Sequence, residues 1–297
     1  MIQLPAAERH IRAVHDAIRE GNFESPDEVN AFLAELVASG EILKPDTSKL
    51  SPERRAQELV YDATEADGDK RRELIDAALA LDPLCVDALL LQADELDSVE
   101  EALTLVERAV EAGRKSLPSE YFDDPQYLGR FWKIIETRPF MRALAMQAEL
   151  LNILKEHDRA IDVAFDMLDF DPTDNQGVRF DLPVWLIKSG QDDEALELLN
   201  AYGDDPSAAF PYLRVLLAFR ESGESSRTRR LLLKALDANS NVIDVLREPQ
   251  LPAAPENYEI GDFNEAILIV RSQLPLWAEN GKFMQWMFQE CARLYPA

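Results

Sequence analysis

Histidine, cysteine and glycine are scarce in this chain, and each scarcity removes a class of chemistry. The 297 residues include three histidines, two cysteines and 11 glycines. Cys85 and Cys291 lie far apart and make no disulfide framework, which fits a reducing cytoplasm. No cysteine pair has zinc spacing. His10 and His15 are five apart, so they do not share a helix face as ligands four apart would, and His157 falls in the polar turn EHDR. The glycines are isolated and none precedes Lys-Ser or Lys-Thr, so there is no phosphate loop, and no nucleophile elbow occurs. Glu65 to Asp69 hints at a calcium loop but reaches Asp76 where that loop needs a glutamate. We therefore expect no catalytic, cofactor-binding or metal-binding residue, and no enzyme.

Basic residues are under-supplied as well. Lys and Arg number 31 against 56 Asp and Glu, a net charge of −25. Such a surface repels phosphate backbones and anionic bilayers, so neither nucleic acid nor membrane is an expected partner. A basic protein partner is permitted, although solubility is the simpler reading. Long apolar runs are missing too: stretches such as Val215 to Phe219 cannot span a bilayer. The first residues, MIQLPAAERHIRAVHD, carry charge throughout and lack the apolar core of a signal peptide, so a cytoplasmic location is expected.

What is present is helix. Hydrophobic residues make up 46 % of the chain, and β-branched runs are few. Ile11, Val14 and Ile18 mark one face of a helix over 5–20, ended by Gly21. Ser25-Pro26-Asp27-Glu28 starts a second helix, striped by Phe32, Leu33 and Leu36 and closed by Gly40; the two are expected to form a hairpin. After a linker, helices are predicted at roughly 53–66, 69–81, 84–96 and 99–116, with Asp82-Pro83 stopping one and starting the next. The proline- and aromatic-rich stretch 117–136 breaks the rhythm and reads as a loop with a short helix. Pairs resume at roughly 138–155 and 158–170, 175–189 and 192–202, and 207–221 and 225–237. A proline-rich crossing then leads to two last helices, 262–278 and 281–294.

The pairs have a period. Counting Met141 as first, small residues stand at the eighth and twentieth positions (Ala148, Ala160) and Pro172 at the thirty-second. Ala195 follows Ala160 by 35 residues and Thr228 follows Ala195 by 33. A tetratricopeptide unit is about 34 residues long, with small side chains where its helices cross closely and a proline closing the second helix. We therefore predict an all-α, tetratricopeptide-like α-solenoid of stacked helix hairpins. Its expected segments are 1–45 (hairpin and linker), 46–116 (degenerate repeats), 117–136 (insertion), 137–248 (repeats) and 249–297 (capping helices). An irregular helical bundle is the alternative.

Three segments, ETRPFMRA (136–143), DPTDNQGVR (171–179) and SAAFPYLRVLLAFRESG (207–223), resemble those of a group of bacterial tetratricopeptide-like proteins. That group is related in these segments to the eukaryotic suppressor-of-tumorigenicity seven family, and GNFESPDEVNAFL (21–33) resembles its leader. The resemblance covers roughly 136–250 and implies a helical repeat and an adaptor-like role; it brings no catalytic activity. A cysteine-rich zinc module carried by some members is not matched here. Within DPTDNQGVR, Thr173, Asp174 and Asn175 are expected to cap the next helix, Gly177 to allow close contact, and Arg179 to pair with Glu136 or Asp181.

The first helix of each pair would line a concave face. That face would receive Arg142, Glu149 and Asn152, then Phe180, Val184 and Lys188, then Phe210, Leu213 and Arg220. Such a groove suits a helix or extended peptide of another protein, in a monomer or homodimer. The apolar members could instead pack against the neighbouring repeat or the C-terminal helices. Trp277, Phe283, Trp286 and Phe288 are expected to cap the stack, or to form a dimer surface if exposed. Two other functions are weighed: an acidic regulator occupying a basic partner's nucleic-acid site, and a hydrolase using carboxylates of 117–136.

Overall fold

The structure is a computed structural model, and it describes residues 6–294 except 44 and 46. Residues 1–5 and 44 of the expected first segment, 46 of the second and 295–297 of the last lie outside the described residues. Among the described residues every regular element is a helix. In chain order these are α1 (Ala6–Glu20), α2 (Pro26–Ser39), α3 (Pro52–Thr64), α4 (Gly68–Leu81), α5 (Val86–Asp94), α6 (Val99–Ser116) and the single turn α7 (Glu120–Asp123). Next come α8 (Arg138–Ile153), α9 (His157–Phe170), α10 (Leu182–Lys188), α11 (Asp192–Ala201), α12 (Ala209–Ser222) and α13 (Ser226–Ala238). The last three are α14 (Asn241–Arg247), α15 (Phe263–Glu279) and α16 (Gly281–Leu294).

Local chemistry sets these boundaries. Ser25, Ser51, Ser98 and Ser225 each accept a hydrogen bond from the backbone N–H three residues on, which satisfies a donor that the first turn leaves free. Asp262 caps α15 in the same way, at 2.6 Å from the Glu265 N–H. Two helix ends 35 residues apart share one geometry. After α8, Lys155 is left-handed (φ 63°) and the Glu156 N–H reaches Leu151 O at 2.9 Å. After α10, Gly190 is left-handed (φ 77°) and the Gln191 N–H reaches Leu186 O at 2.9 Å. This crossed closure lets the chain reverse tightly into α9 and α11.

The chain divides into two compact units, Met1–Asn175 and Gln176–Ala297. In the first, α3 pairs with α4, α5 with α6 and α8 with α9, and α3, α5 and α8 touch in succession. In the second, α10 pairs with α11, α12 with α13, and α14 and α16 both pack on α15. Each unit thus repeats the helix-pair stacking of a tetratricopeptide-like α-solenoid. The small residues of the period sit where helices touch: Ala148, Ala160, Ala195 and Thr228 are buried. Gly113 has the same cause, because a Cβ there would come within 2.9 Å of the Phe140 ring.

Several elements differ from expectation. Stretch 117–136 is a loop with a one-turn helix, as expected, and it contributes to the core: Phe131 is fully buried, and Phe122, Phe131, Phe140 and Phe170 form an aromatic core with ring centroids 4.6–6.1 Å apart. Its carboxylates Glu120, Asp123, Asp124 and Glu136 are exposed, which removes the desolvation that a hydrolytic carboxyl pair needs. Pro83 does not open α5, which starts three residues later; Asp82 instead accepts from the Leu84 N–H in a turn. Helix α10 starts at Leu182 rather than 175, because Gly177 is left-handed (φ 77°) and a single 3₁₀ turn, Val178–Phe180, intervenes. Gly177 is therefore a turn residue rather than a close-contact one. In DPTDNQGVR the hub is buried Asp171, which accepts from the Thr173 hydroxyl at 2.6 Å and the Asn175 N–H at 2.8 Å. Arg179 pairs with Asp205 at 2.8 Å. Helix α14 is an addition to the expected helices and lies within the segment 137–248.

Helix α1 also differs. Its main partner is α3 rather than α2. The apolar stripe is not its buried face: Ile11 is exposed and Val14 and Ile18 half-buried, whereas Glu8, Arg12 and Ala13 are buried.

Candidate functional site

In the first unit, the first helices α3, α5 and α8 meet at a buried charge network. Arg142 of α8 grips Asp87 of α5 with two hydrogen bonds, Nε to Oδ1 at 2.9 Å and Nη2 to Oδ2 at 2.6 Å. Gln57 of α3 donates to the same Asp87 carboxylate at 2.9 Å. The other edge of the guanidinium holds Glu8 of α1 at 2.8 and 3.2 Å, and the Tyr61 hydroxyl donates to Glu8 at 3.2 Å. Glu8 and Asp87 are fully buried and Arg142 nearly so. The two carboxylates hold the guanidinium above its ordinary pKa against the opposing effect of burial, so it stays charged. Arg142 is therefore not the exposed groove residue that its position suggested. Glu149 is exposed, and half-buried Asn152 faces the His157 ring at 3.1 Å.

In the second unit, the face formed by first helices α10 and α12 is covered by α15. Val184, Phe210 and Leu213, expected on an open groove, are buried there; Leu213 is 0 % exposed. Trp277 of α15 lies 5.9 Å from the Tyr212 ring, and Gln273 donates to Ala209 O at 2.9 Å. Trp277, Phe283 and Trp286 are core, and Phe288 is half-buried, so this cluster presents no open aromatic face. Phe180 is half-buried, 5.5 Å from the Phe210 ring and under the Arg179 guanidinium at 4.4 Å. Of the nine expected contact residues, Glu149, Lys188 and Arg220 are exposed.

Arg220 lies on the rim of an open cleft of about 530 Å³ between α11, α12 and α13. Leu196, Leu217, Ala218 and Leu231 supply its apolar surface, and Asp192, Asp193, Glu221, Arg214, Arg220 and Arg227 its charge. Arg220 is tied to Asp192 at 3.1 Å and donates to Ile187 O at 3.0 Å. Arg227 pairs with Glu221. Arg214 differs, since its hydrogen bonds go to neutral groups, Leu199 O and Asn200 Oδ1, each at 2.7 Å. Burial holds its guanidinium below the ordinary pKa, and burial raises the Asp192 carboxyl despite the opposing charge of Arg220. The cleft combines apolar surface, exposed charge of both signs and one cation without a carboxylate partner among the described residues. That combination suits a peptide carrying an acidic and an apolar side chain. Among the described residues no group of three His, Cys, Asp or Glu side chains is placed to hold a metal ion, and no helix is long and apolar enough to cross a membrane.

Sequence reasoning missed Glu8, Asp87 and Glu265. Glu8 stands four residues before Arg12, a spacing shared by any exposed helix pair. Asp87 offered a signal, as the single charge in the run LCVDALLL. Glu265 is buried and accepts from Ser207, Ala208, Asn239 and Gly261, tying α15 to the start of α12 and the end of α13.

No family model matches the chain, and no curated protein matches it. Among solved structures it is similar to the crystal structure of YrrB, described as a TPR protein with an unusual peptide-binding site. The two are 18 % identical with a TM-score of 0.44, over 70 % of this chain and 91 % of that one. The fold stands on the helix pairing within each unit, independently of this likeness.

Proposed function

We propose that this chain is a non-enzymatic protein-interaction module, an adaptor or scaffold that takes a peptide or helix of another protein in a helix-lined cleft. The open cleft of α11–α13 carries this reading, because it offers apolar contact beside Arg214, whose charge meets only neutral partners. The resemblance of 136–143, 171–179 and 207–223 to bacterial tetratricopeptide-like proteins supports the same adaptor-like role. The test is affinity capture from native lysate with the full chain, beside the cleft double variant Asp193→Lys, Arg227→Glu and the rim variant Lys188→Glu. A partner recovered repeatedly by the wild type and depleted by the double variant is the expected result. No recurrent partner, or one indifferent to the double variant, refutes the cleft reading.

The second reading, an acidic protein that blocks a basic partner's nucleic-acid site, has one support, the net charge of −25. Competing nucleic acid in the same capture separates the two: it displaces a partner held through its nucleic-acid site and leaves a cleft-bound peptide in place.

A further inference from the structure

Each unit covers the face of its first helices with a helix of its own, and the two covers differ in chemistry. In the second unit α15 buries Ile267, Ile269, Val270, Leu276 and Trp277, the kind of apolar contact that builds a permanent core. In the first unit α1 is held by charge. Glu8 meets Arg142 at 2.8 Å, Arg9 meets Glu58 at 2.8 Å and Asp62 at 2.9 Å, and Asp16 meets Arg54 at 2.7 Å. Arg12 donates to Ile135 O at 2.7 Å. Both covers leave buried polar atoms without a hydrogen-bond partner among the described residues, His10 Nδ1, Arg12 Nε, Arg54 Nη1 and Glu58 Oε1 at the α1 seam and Gln273 Oε1 and Trp277 Nε1 on α15, so the difference between them lies in the charge buried under α1. Ion pairs withdrawn from water return little net energy, because desolvation offsets most of the attraction.

The receiving surface is set independently of α1. Arg142 stays oriented by its two bonds to Asp87, and Asp87 by Gln57, all on α3, α5 and α8. With α1 lifted away, the free edge of the Arg142 guanidinium and the Ile135 carbonyl would face outward as a fixed receptor. The first accepts a carboxylate; the second accepts a donor one helical turn further on.

We propose that the α3/α5/α8 face is a second binding site, for a partner helix carrying a glutamate and an arginine four residues apart, and that α1 is its built-in, displaceable occupant. Tethering gives α1 an effective concentration of about millimolar, so the site is closed to weak ligands and opens to a partner that matches Glu8 and Arg12 with further contacts of its own.

The test uses the full chain and a fluorescein-labelled synthetic peptide of residues 6–20. In the chain variant Glu8→Gln, Arg9→Gln the internal occupant is weakened while Gln57, Asp87 and Arg142 remain. Fluorescence anisotropy is expected to show the peptide binding this variant about tenfold or more tightly than the wild-type chain. The same peptide with Glu8→Gln should lose that advantage. A folded variant that takes up no peptide overturns the proposal, as does binding indifferent to the peptide's glutamate. Limited trypsin digestion of the wild-type chain is the second measurement. Cleavage after buried Arg12 should precede any cleavage after Arg54 or Arg55 of α3 or Arg142 of α8; cutting there only together with those helices shows that α1 is core and overturns the proposal. Neither result bears on the α11–α13 cleft, which partner capture tests separately.

Discussion

Replacing Arg142 by methionine keeps much of its length and removes its charge from the centre of the first unit. Two carboxylates are then stranded. Glu8 keeps the Tyr61 hydroxyl and longer contacts to Arg12 at 3.5 Å and Arg138 at 3.9 Å, and Asp87 keeps the Gln57 amide. Both are fully buried while α1 is seated, so in the closed state water does not take over the four hydrogen bonds that Arg142 gave them. Breaking a buried ion pair from one side costs about 3–5 kcal/mol. A folded domain has about 5–15 kcal/mol of stability in all, so Arg142→Met should bring the first unit near its limit. Removing the charges together is different. Arg142→Met with Glu8→Gln and Asp87→Asn removes the three central charges together and should recover part of the loss, with buried Arg12 then keeping the Ile135 carbonyl as its partner. Urea unfolding followed by circular dichroism at pH 7 gives the free energies, with hydrogen exchange of α5 and α8 assigning the change to the first unit. A loss below about 1 kcal/mol at pH 7, the scale of an exposed pair, would refute the view that this is a buried network.

Other expectations follow from single positions. Lys155→Gly should stabilise the chain by about 0.5–1 kcal/mol, since φ is 63° there and the equivalent turn already uses Gly190; a lower urea midpoint would contradict this. Ala195→Leu should cost about 1–3 kcal/mol by wedging α11 from its neighbours, read as a drop in Tm. Glu265→Ala strands donors on Ser207, Ala208, Asn239 and Gly261 and should cost roughly 3 kcal/mol, with tryptophan fluorescence reporting unfolding around buried Trp277. Burial pushes the Cys85 thiol up to about 12 from 9.0. Its folded pKa is the higher, so its stabilising share is complete below pH 9 and lost as pH rises towards 12, when the unfolded chain releases a proton that the folded one keeps. The urea midpoint should fall over that window, Cys85→Ala should flatten the fall, and at pH 8 a disulfide reagent should leave the native thiol unmodified.

Helices and their pairing were legible because they rest on local rules: serine caps, left-handed turn residues and small residues at a fixed period. Ala160, Ala195 and Thr228 could be placed by counting, since a helix crossing demands a small side chain whatever lies further away. The groove was not legible, because which face stays open depends on helices distant in sequence. Val184, Phe210 and Leu213 look the same in sequence whether they meet a ligand or are buried within the unit. Arg142 reads as an exposed cation until Glu8, 134 residues earlier, is brought against it. The apolar stripe of α1 misdirected the reading for a related reason: its buried face is charged, and charge on a helix ordinarily marks the solvent side. Stretch 117–136 reads as a loop with a short helix, which it is; that its Phe122 and Phe131 join the core depends on Phe140 and Phe170, which lie outside it.

Hydrogen–deuterium exchange on the chain compares the two self-covered faces directly. We expect the amides of α1 to exchange through a local opening well before those of α3, while α15 exchanges as slowly as α12 beneath it. An α1 protected as long as α3, or an α15 that opens as readily as α1, would contradict this expectation.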